Sequence, residues 1–146
     1  MPDLHALVAV LACTIFTGAA LYINLVEHPA RMECGTEAAA RQWAPSYRRA
    51  TWMQATLAIV AGGTGVIVWN HGGGTLWGVG ALLIGLVVPV TLIVIFPTNK
   101  RLLEPGRDVR SAETAALLNR WAALHAIRTV LGIAASIVYL WALGAH

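Results

Sequence analysis

Three stretches of the chain carry no Asp, Glu, Lys or Arg: residues 4–26, 50–99 and 129–146. A helix needs roughly 20 apolar residues to cross the ~30 Å hydrocarbon core of a bilayer. The first stretch therefore predicts one span, at about residues 4–26. The second is long enough for two, at about 50–69 and 76–97, folded back at Asn70-His71-Gly72-Gly73-Gly74, a cluster of helix breakers. The third, extended back to Asn119, predicts a fourth span at about 119–143. Barrel strands would alternate polar and apolar residues in ~10-residue pieces, whereas these stretches are apolar throughout. The pattern predicts an all-α protein, an integral membrane four-helix bundle forming a single domain over residues 1–146.

The polar segments between spans one and two and between spans three and four are long enough to hold short helices. Gly35-Thr36-Glu37 followed by three alanines reads as the capped start of one, with an acidic residue in its first turn. Pro45 suits the first turn of the helix that continues as span two, and Ser111-Ala112-Glu113 starts the fourth helix about two turns before the hydrocarbon. Glu104-Pro105-Gly106-Arg107 reads as a turn. His28-Pro29 falls where the first helix is expected to end, so a capping role is one reading of His28. Met1-Pro2-Asp3-Leu4-His5 lacks the basic lead-in of a secretory signal, and the first apolar stretch is expected to remain as a span.

Composition agrees. Of 146 residues, 58% are hydrophobic and 12% charged, against roughly 25% charged in an ordinary soluble domain, and the mean hydropathy is +0.66. Disordered, collagen-like and coiled-coil chains are excluded, and Cys13 and Cys34 form no disulfide framework. Of the ten basic residues, Arg31, Arg41, Arg48 and Arg49 follow span one, and Lys100, Arg101, Arg107, Arg110 and Arg120 follow span three. Only Arg128 stands apart. The two basic segments are therefore expected on the cytoplasmic side of a bacterial-type inner membrane, with both termini outside. The net charge of +3 reflects that topology. No basic stripe interleaved with aromatics appears, so nucleic acid is not an expected partner; membrane lipids are. Walker loops, dinucleotide fingerprints, zinc motifs and nucleophile elbows are also absent.

Chemistry is to be sought in polar residues that a bare anchor does not need. Helical spacing puts Asn24, His28 and Arg31 on one face of helix one, Tyr47, Thr51 and Gln54 on one face of helix two, and Trp121, His125 and Arg128 on one face of helix four. Span three ends in Phe96-Pro97-Thr98-Asn99. All four groups lie at about the same depth, and ionisable groups in lipid turn inward because facing hydrocarbon is costly. Ordinary roles compete with this reading. Arg31, Arg48 and Arg49 suit interfacial anchors; Trp43, Trp52, Trp69, Trp77 and Trp141 suit an aromatic belt. His71 and His146 suit solvated positions, Glu27–Arg31 a helix-surface ion pair, and Pro89 with its neighbouring glycines a packing kink.

Four segments carry a resemblance to a known family: Glu27-His28-Pro29-Ala30-Arg31, Pro45-Ser46-Tyr47-Arg48-Arg49-Ala50, Phe96-Pro97-Thr98-Asn99-Lys100-Arg101-Leu102, and Asn119-Arg120-Trp121-Ala122-Ala123-Leu124-His125-Ala126-Ile127-Arg128-Thr129. In this order they resemble the recurring blocks of the anthrone oxygenase-like family of small four-helix membrane proteins. The resemblance implies oxidation of an activated aromatic carbon by O₂, anthrone to anthraquinone, with no cofactor. A neutral histidine, with an ordinary pKa near 6.5, can take a proton from an anthrone-type methylene, and an arginine can hold the oxyanion that develops. On that basis His125 is the expected base, Arg128 the oxyanion partner, and His28 and Asn99 further catalytic contacts. Asn24, Arg31, Tyr47, Gln54 and Trp121 are the expected substrate-binding residues.

Two other readings stay open. His28 and His125 could ligate a metal or haem, although no His-x-x-His or carboxylate cluster accompanies them. The polar ring could equally belong to a non-catalytic lipid- or quinone-binding module, or to a small subunit of a membrane complex. Monomer and homo-oligomer are not distinguished. The topology has a direct check: a reporter fused after His146 should behave as periplasmic or extracellular, and a cytoplasmic reporter signal would overturn the orientation.

Overall fold

The computed structural model describes residues 3–145, so the lead-in at Met1 and Pro2 and the expected solvated position of His146 lie outside the described residues. The described chain is all-α, without strands. Four helices are long and apolar enough to cross a membrane: α1 (Leu4–Glu33), α2 (Thr36–Gly73), α3 (Thr75–Leu102) and α4 (Ala112–Gly144). α1 packs against α2 and α4, and α3 packs against the same two, so α1 and α3 face each other across a diagonal of an up-and-down bundle. One end of the bundle holds the α2–α3 hairpin; the other, the loop end, holds the α1–α2 and α3–α4 connections.

The helices run further than the sequence pattern predicts. α1 does not end at His28-Pro29 but continues to Glu33, so His28 is no cap. The reversal comes at Cys34-Gly35, where Gly35 takes a φ of +90° that residues with a side chain avoid. α2 is one helix from Thr36 onward, with Pro45 in its interior rather than at a start. Strong helix formers around Ala38–Gln42 leave no break, and Pro45 is exposed, so the carbonyl it deprives of a partner is on the outer surface.

Prolines also explain two widened turns, and Pro89 follows a break in α3 at Leu86, the expected kink. Pro29 follows a π-helical turn at Ile23–Glu27, and Pro97 follows another at Val90–Ile95. A proline ring collides with the carbonyl four residues earlier, here Leu25 and Ile93, both inside the widened turns. The wide turn carries that carbonyl out of the way. At the hairpin end, Gly72 and Gly74 turn the chain with φ of +87° and +91°, as the breaker cluster predicts. Ser111 caps α4, its hydroxyl accepting from the Thr114 N–H.

The apolar core has two parts. Toward the hairpin end, small residues on α1 (Ala6, Ala9, Ala12, Cys13) and α2 (Ala58, Ala61) let the helices close around Phe16, Trp77, Ile84 and Tyr139. Toward the loop end, Ile23, Trp43, Ile95, Leu118 and Trp121 form a second cluster. Trp43 and Trp77 are therefore core residues and not members of an aromatic belt; Trp52, Trp69 and Trp141 are exposed, as a belt requires. Trp77 packs on Tyr139 with ring centroids 5.2 Å apart, and Trp43 stacks on Tyr47 at 5.0 Å. Beyond the loop-end cluster, Glu37 pairs with Arg41 and, at 2.6 Å, with Arg110. That hydrogen bond to the Glu37 carboxylate raises the Arg110 guanidinium further above its ordinary value.

Tyr139 seats in a socket made by two glycines. Its hydroxyl donates to the Ala61 carbonyl at 2.9 Å, and a Cβ on Gly65 or on Gly80 would overlap its ring. Gly65→Ala or Gly80→Ala should each lower the melting temperature in detergent, since overpacking costs about 1–3 kcal/mol. Gly63→Ala, whose Cβ would meet nothing within 4 Å, is the control. Equal melting temperatures for all three variants would show that the socket adds no stability.

Candidate functional site

Between the two apolar clusters lies a polar layer to which every helix contributes. Helical spacing alone places Trp121, His125, Arg128 and Thr129 on the inward face of α4, and all four are buried. α1 brings Asn24, His28 and Arg31 against it. α2 brings Tyr47 and Gln54, and α3 brings Asn99. His125 is 2% exposed and Arg128 9%. Arg128 therefore does not snorkel to the membrane surface.

The hydrogen bonds fix who faces whom. Arg128 Nη2 donates to Gln54 Oε1 at 2.8 Å, and its guanidinium lies 5.6 Å from the centre of the Phe16 ring. No carboxylate among the described residues pairs with it. Asn24 bridges to α4: its Oδ1 lies 2.8 Å from His125 Nδ1 and accepts from Thr129 Oγ1 at 2.6 Å, while its Nδ2 donates to the Ala122 carbonyl at 3.0 Å. Asn99 Nδ2 donates to the Tyr47 hydroxyl at 3.1 Å. The Trp121 indole gathers the rest: His28 and His125 pack against it at 5.3 and 4.9 Å, Trp43 at 5.7 Å, and the Arg31 guanidinium at 5.9 Å.

Arg31 is buried, not a lipid-facing anchor; Arg48 and Arg49 are exposed. Arg31 Nη2 pairs with Glu27 Oε1 at 2.8 Å. The same oxygen accepts from Ser46 Oγ at 2.8 Å and Gln42 Nε2 at 2.9 Å. The expected Glu27–Arg31 pair thus exists within α1, but with Arg31 buried it is not a helix-surface pair, and its bonds to Ser46 and Gln42 tie α1 to α2.

Seven of the nine expected site residues line one cavity: Arg31, Tyr47, Gln54, Asn99, Trp121, His125 and Arg128. Asn24 and His28 stand one layer behind, against His125 and Trp121. The cavity is about 20 Å³, room for a water molecule. Around it Arg128 Nε, Gln54 Nε2 and Asn99 Oδ1 are buried and make no hydrogen bond to any described residue. The wall offers a cation and an amide donor, a pair suited to an oxygen that carries negative charge, and beside them an acceptor for a group that can donate. His28 and His125 share a neighbour in Trp121, but no group of three or more His, Cys, Asp or Glu able to hold a metal occurs among the described residues.

Sequence reasoning missed two participants. Thr129 sits one turn after His125 and shares its partner Asn24, a spacing that could have been read. Phe16 is the one large residue in the stripe of alanines, Cys13 and Ala20 on α1, which signals a specific partner across the bundle.

Four helices long and apolar enough to cross a membrane, closed around a buried polar cavity, define a class: a small all-α membrane protein with an internal polar cavity. Within that class, the chain matches the anthrone oxygenase family over residues 43–138, and it belongs to that family. The matched stretch includes Tyr47, Gln54, Asn99, Trp121, His125 and Arg128, while Asn24, His28 and Arg31 precede it. Comparisons with curated proteins and with solved structures gave no match.

The Arg128–Gln54 bond can be tested on its own. Gln54→Leu strands a buried guanidinium and should lower stability in detergent by about 1.5–3 kcal/mol, the usual worth of a hydrogen bond to a charged group. Gln54→Glu supplies a countercharge and should melt at or above the wild-type temperature. A Gln54→Leu variant as stable as wild type would show that the bond contributes nothing.

Proposed function

We propose that this chain is a membrane-embedded oxygenase acting with O₂ on a hydrophobic, enolisable aromatic ketone of the anthrone type. The observation that carries the reading is a guanidinium buried without a carboxylate partner, one helical turn from a buried histidine on the wall of the same cavity. An uncompensated cation in an apolar span is costly, and it favours whatever places negative charge beside it. An enolate oxygen does so at the moment a base removes the neighbouring proton.

In this reading His125 takes a proton from the activated methylene, and Arg128 with Gln54 holds the oxygen onto which the charge delocalises. Asn99 and Tyr47 contact a second polar group on the substrate, and Trp121 with Ile23 and Ile95 supply flat and apolar walls. The methylene carbon, now electron-rich, reacts with O₂; CH₂ and O₂ become C=O and H₂O. The residues supply binding, deprotonation and charge stabilisation, and the electrons come from the substrate. Drug-sized ligands occupy sites of ~300–1,000 Å³, far above the cavity volume, so the walls must part to admit the ring system.

The test is O₂ uptake by purified, metal-stripped protein against a panel of anthrones and related enolisable ketones. Wild-type protein should consume O₂ above the uncatalysed rate. His125→Ala should lose about 10²–10⁴-fold, the usual worth of a general base, and Arg128→Lys should be impaired because an ammonium lacks the planar fork of donors. Arg48→Lys, on the exposed surface, should match wild type. Full activity in His125→Ala would remove the base from the mechanism, and inertness of wild type toward the whole panel would favour the lipid- or quinone-binding alternative.

A further inference from the structure

We infer that Asn24 is a positioning residue: its amide holds the His125 ring in one tautomer, with the proton on Nδ1 and the lone pair on Nε2. A contact between a ring nitrogen and an amide group does not by itself say which partner donates. The surroundings of Asn24 do. Its Nδ2 lies 3.0 Å from the Ala122 carbonyl, and a carbonyl oxygen can only accept, so the nitrogen end of the amide belongs there. Turning the amide over would set two oxygens face to face. The other end is thus the oxygen, which also accepts the Thr129 hydroxyl at 2.6 Å. His125 Nδ1, 2.8 Å from that oxygen, must carry a hydrogen. A neutral imidazole has only one N–H, so Nε2 is left as the acceptor, and it makes no hydrogen bond to any described residue.

The fold makes this arrangement rigid. Asn24 occupies the π-helical turn of α1, and its three bonds all reach across to α4, within two turns of one another. Packing of the His125 ring on Trp121 at 4.9 Å fixes the ring plane as well. An acceptor behind the ring sets the tautomer and leaves the far nitrogen basic, the part that a carboxylate or backbone carbonyl plays behind many functional histidines. The meaning of this for turnover rests on the proposed function; the tautomer itself does not.

The experiment is ¹⁵N NMR of the full-length protein, labelled at histidine, in detergent or bilayers, with His125 assigned by comparison with His125→Gln. Nitrogen shifts of a neutral ring separate the two tautomers. Wild type should show Nδ1–H at His125. Asn24→Asp keeps an acceptor at that position and should keep Nδ1–H, while Asn24→Leu should move His125 toward Nε2–H. On a substrate that wild type turns over, Asn24→Leu should lose about 10–100-fold, as when a functional histidine loses its orienting partner, and Asn24→Asp should recover most of it. An Nε2–H ring in wild type overturns the proposal, as does an unchanged Nδ1–H ring in Asn24→Leu. If Asn24→Leu does not fold, wild type and Asn24→Asp decide, and loss of Nδ1–H in Asn24→Asp counts against it. Absence of turnover in wild type would sink the proposed function and leave the tautomer result standing.

Discussion

A guanidinium in the middle of an apolar span must be compensated by the protein itself, because lipid offers it nothing. Arg128 imposes that requirement on the whole bundle. α2 answers with the Gln54 carbonyl and α1 with the Phe16 ring, and neither supplies a countercharge. The polar layer, the separation of the apolar core into two clusters, and the cavity between them all follow from accommodating this one side chain. Arg31 shows the alternative solution. It is as deeply buried, but Glu27 neutralises it and Ser46 and Gln42 steady the carboxylate. One arginine is spent on joining α1 to α2; the other keeps its charge available.

Much of this was legible in the chain because membranes enforce simple rules. Charge-free stretches mark spans, and the i, i+4, i+7 spacing of Trp121, His125 and Arg128 survives unchanged into the structure because α4 is a regular helix. α1 was harder. Its π turn lies inside the Asn24–His28–Arg31 series and sends the three side chains to different neighbours: Asn24 to His125 and Thr129, His28 to Trp121, Arg31 to Glu27. Burial of Trp43 and Trp77 was not legible either. A tryptophan near the end of a span reads as interfacial until its facing residues are known, and those lie on other helices. Pro45 misled for a related reason, since a proline breaks a helix only where the lost bond cannot be tolerated.

The two prolines that follow widened turns share a level. Pro29 and Pro97 each follow a widened turn, one on α1 and one on α3, the diagonal pair. Ile23 and Ile95, at the edges of those turns, both line the cavity. Both of these widened turns thus lie in the layer that holds the polar side chains, while the hairpin half of the bundle closes on small-residue packing, with α3 interrupted at Leu86, three residues before Pro89.

On the proposed function, that division would make the bundle work as jaws on a pin. Tyr139, locked between Gly65 and Gly80, is the pin; the cavity wall at His125 is fourteen residues away along α4, a lever of about 21 Å. Admitting a flat ring means adding one carbon thickness, ~3.5 Å, which at that radius is a splay of roughly 10°. Substrate size would then be limited by the angle through which the loop end can open, and ring systems bulky in the third dimension would be excluded by leverage before any side chain rejected them.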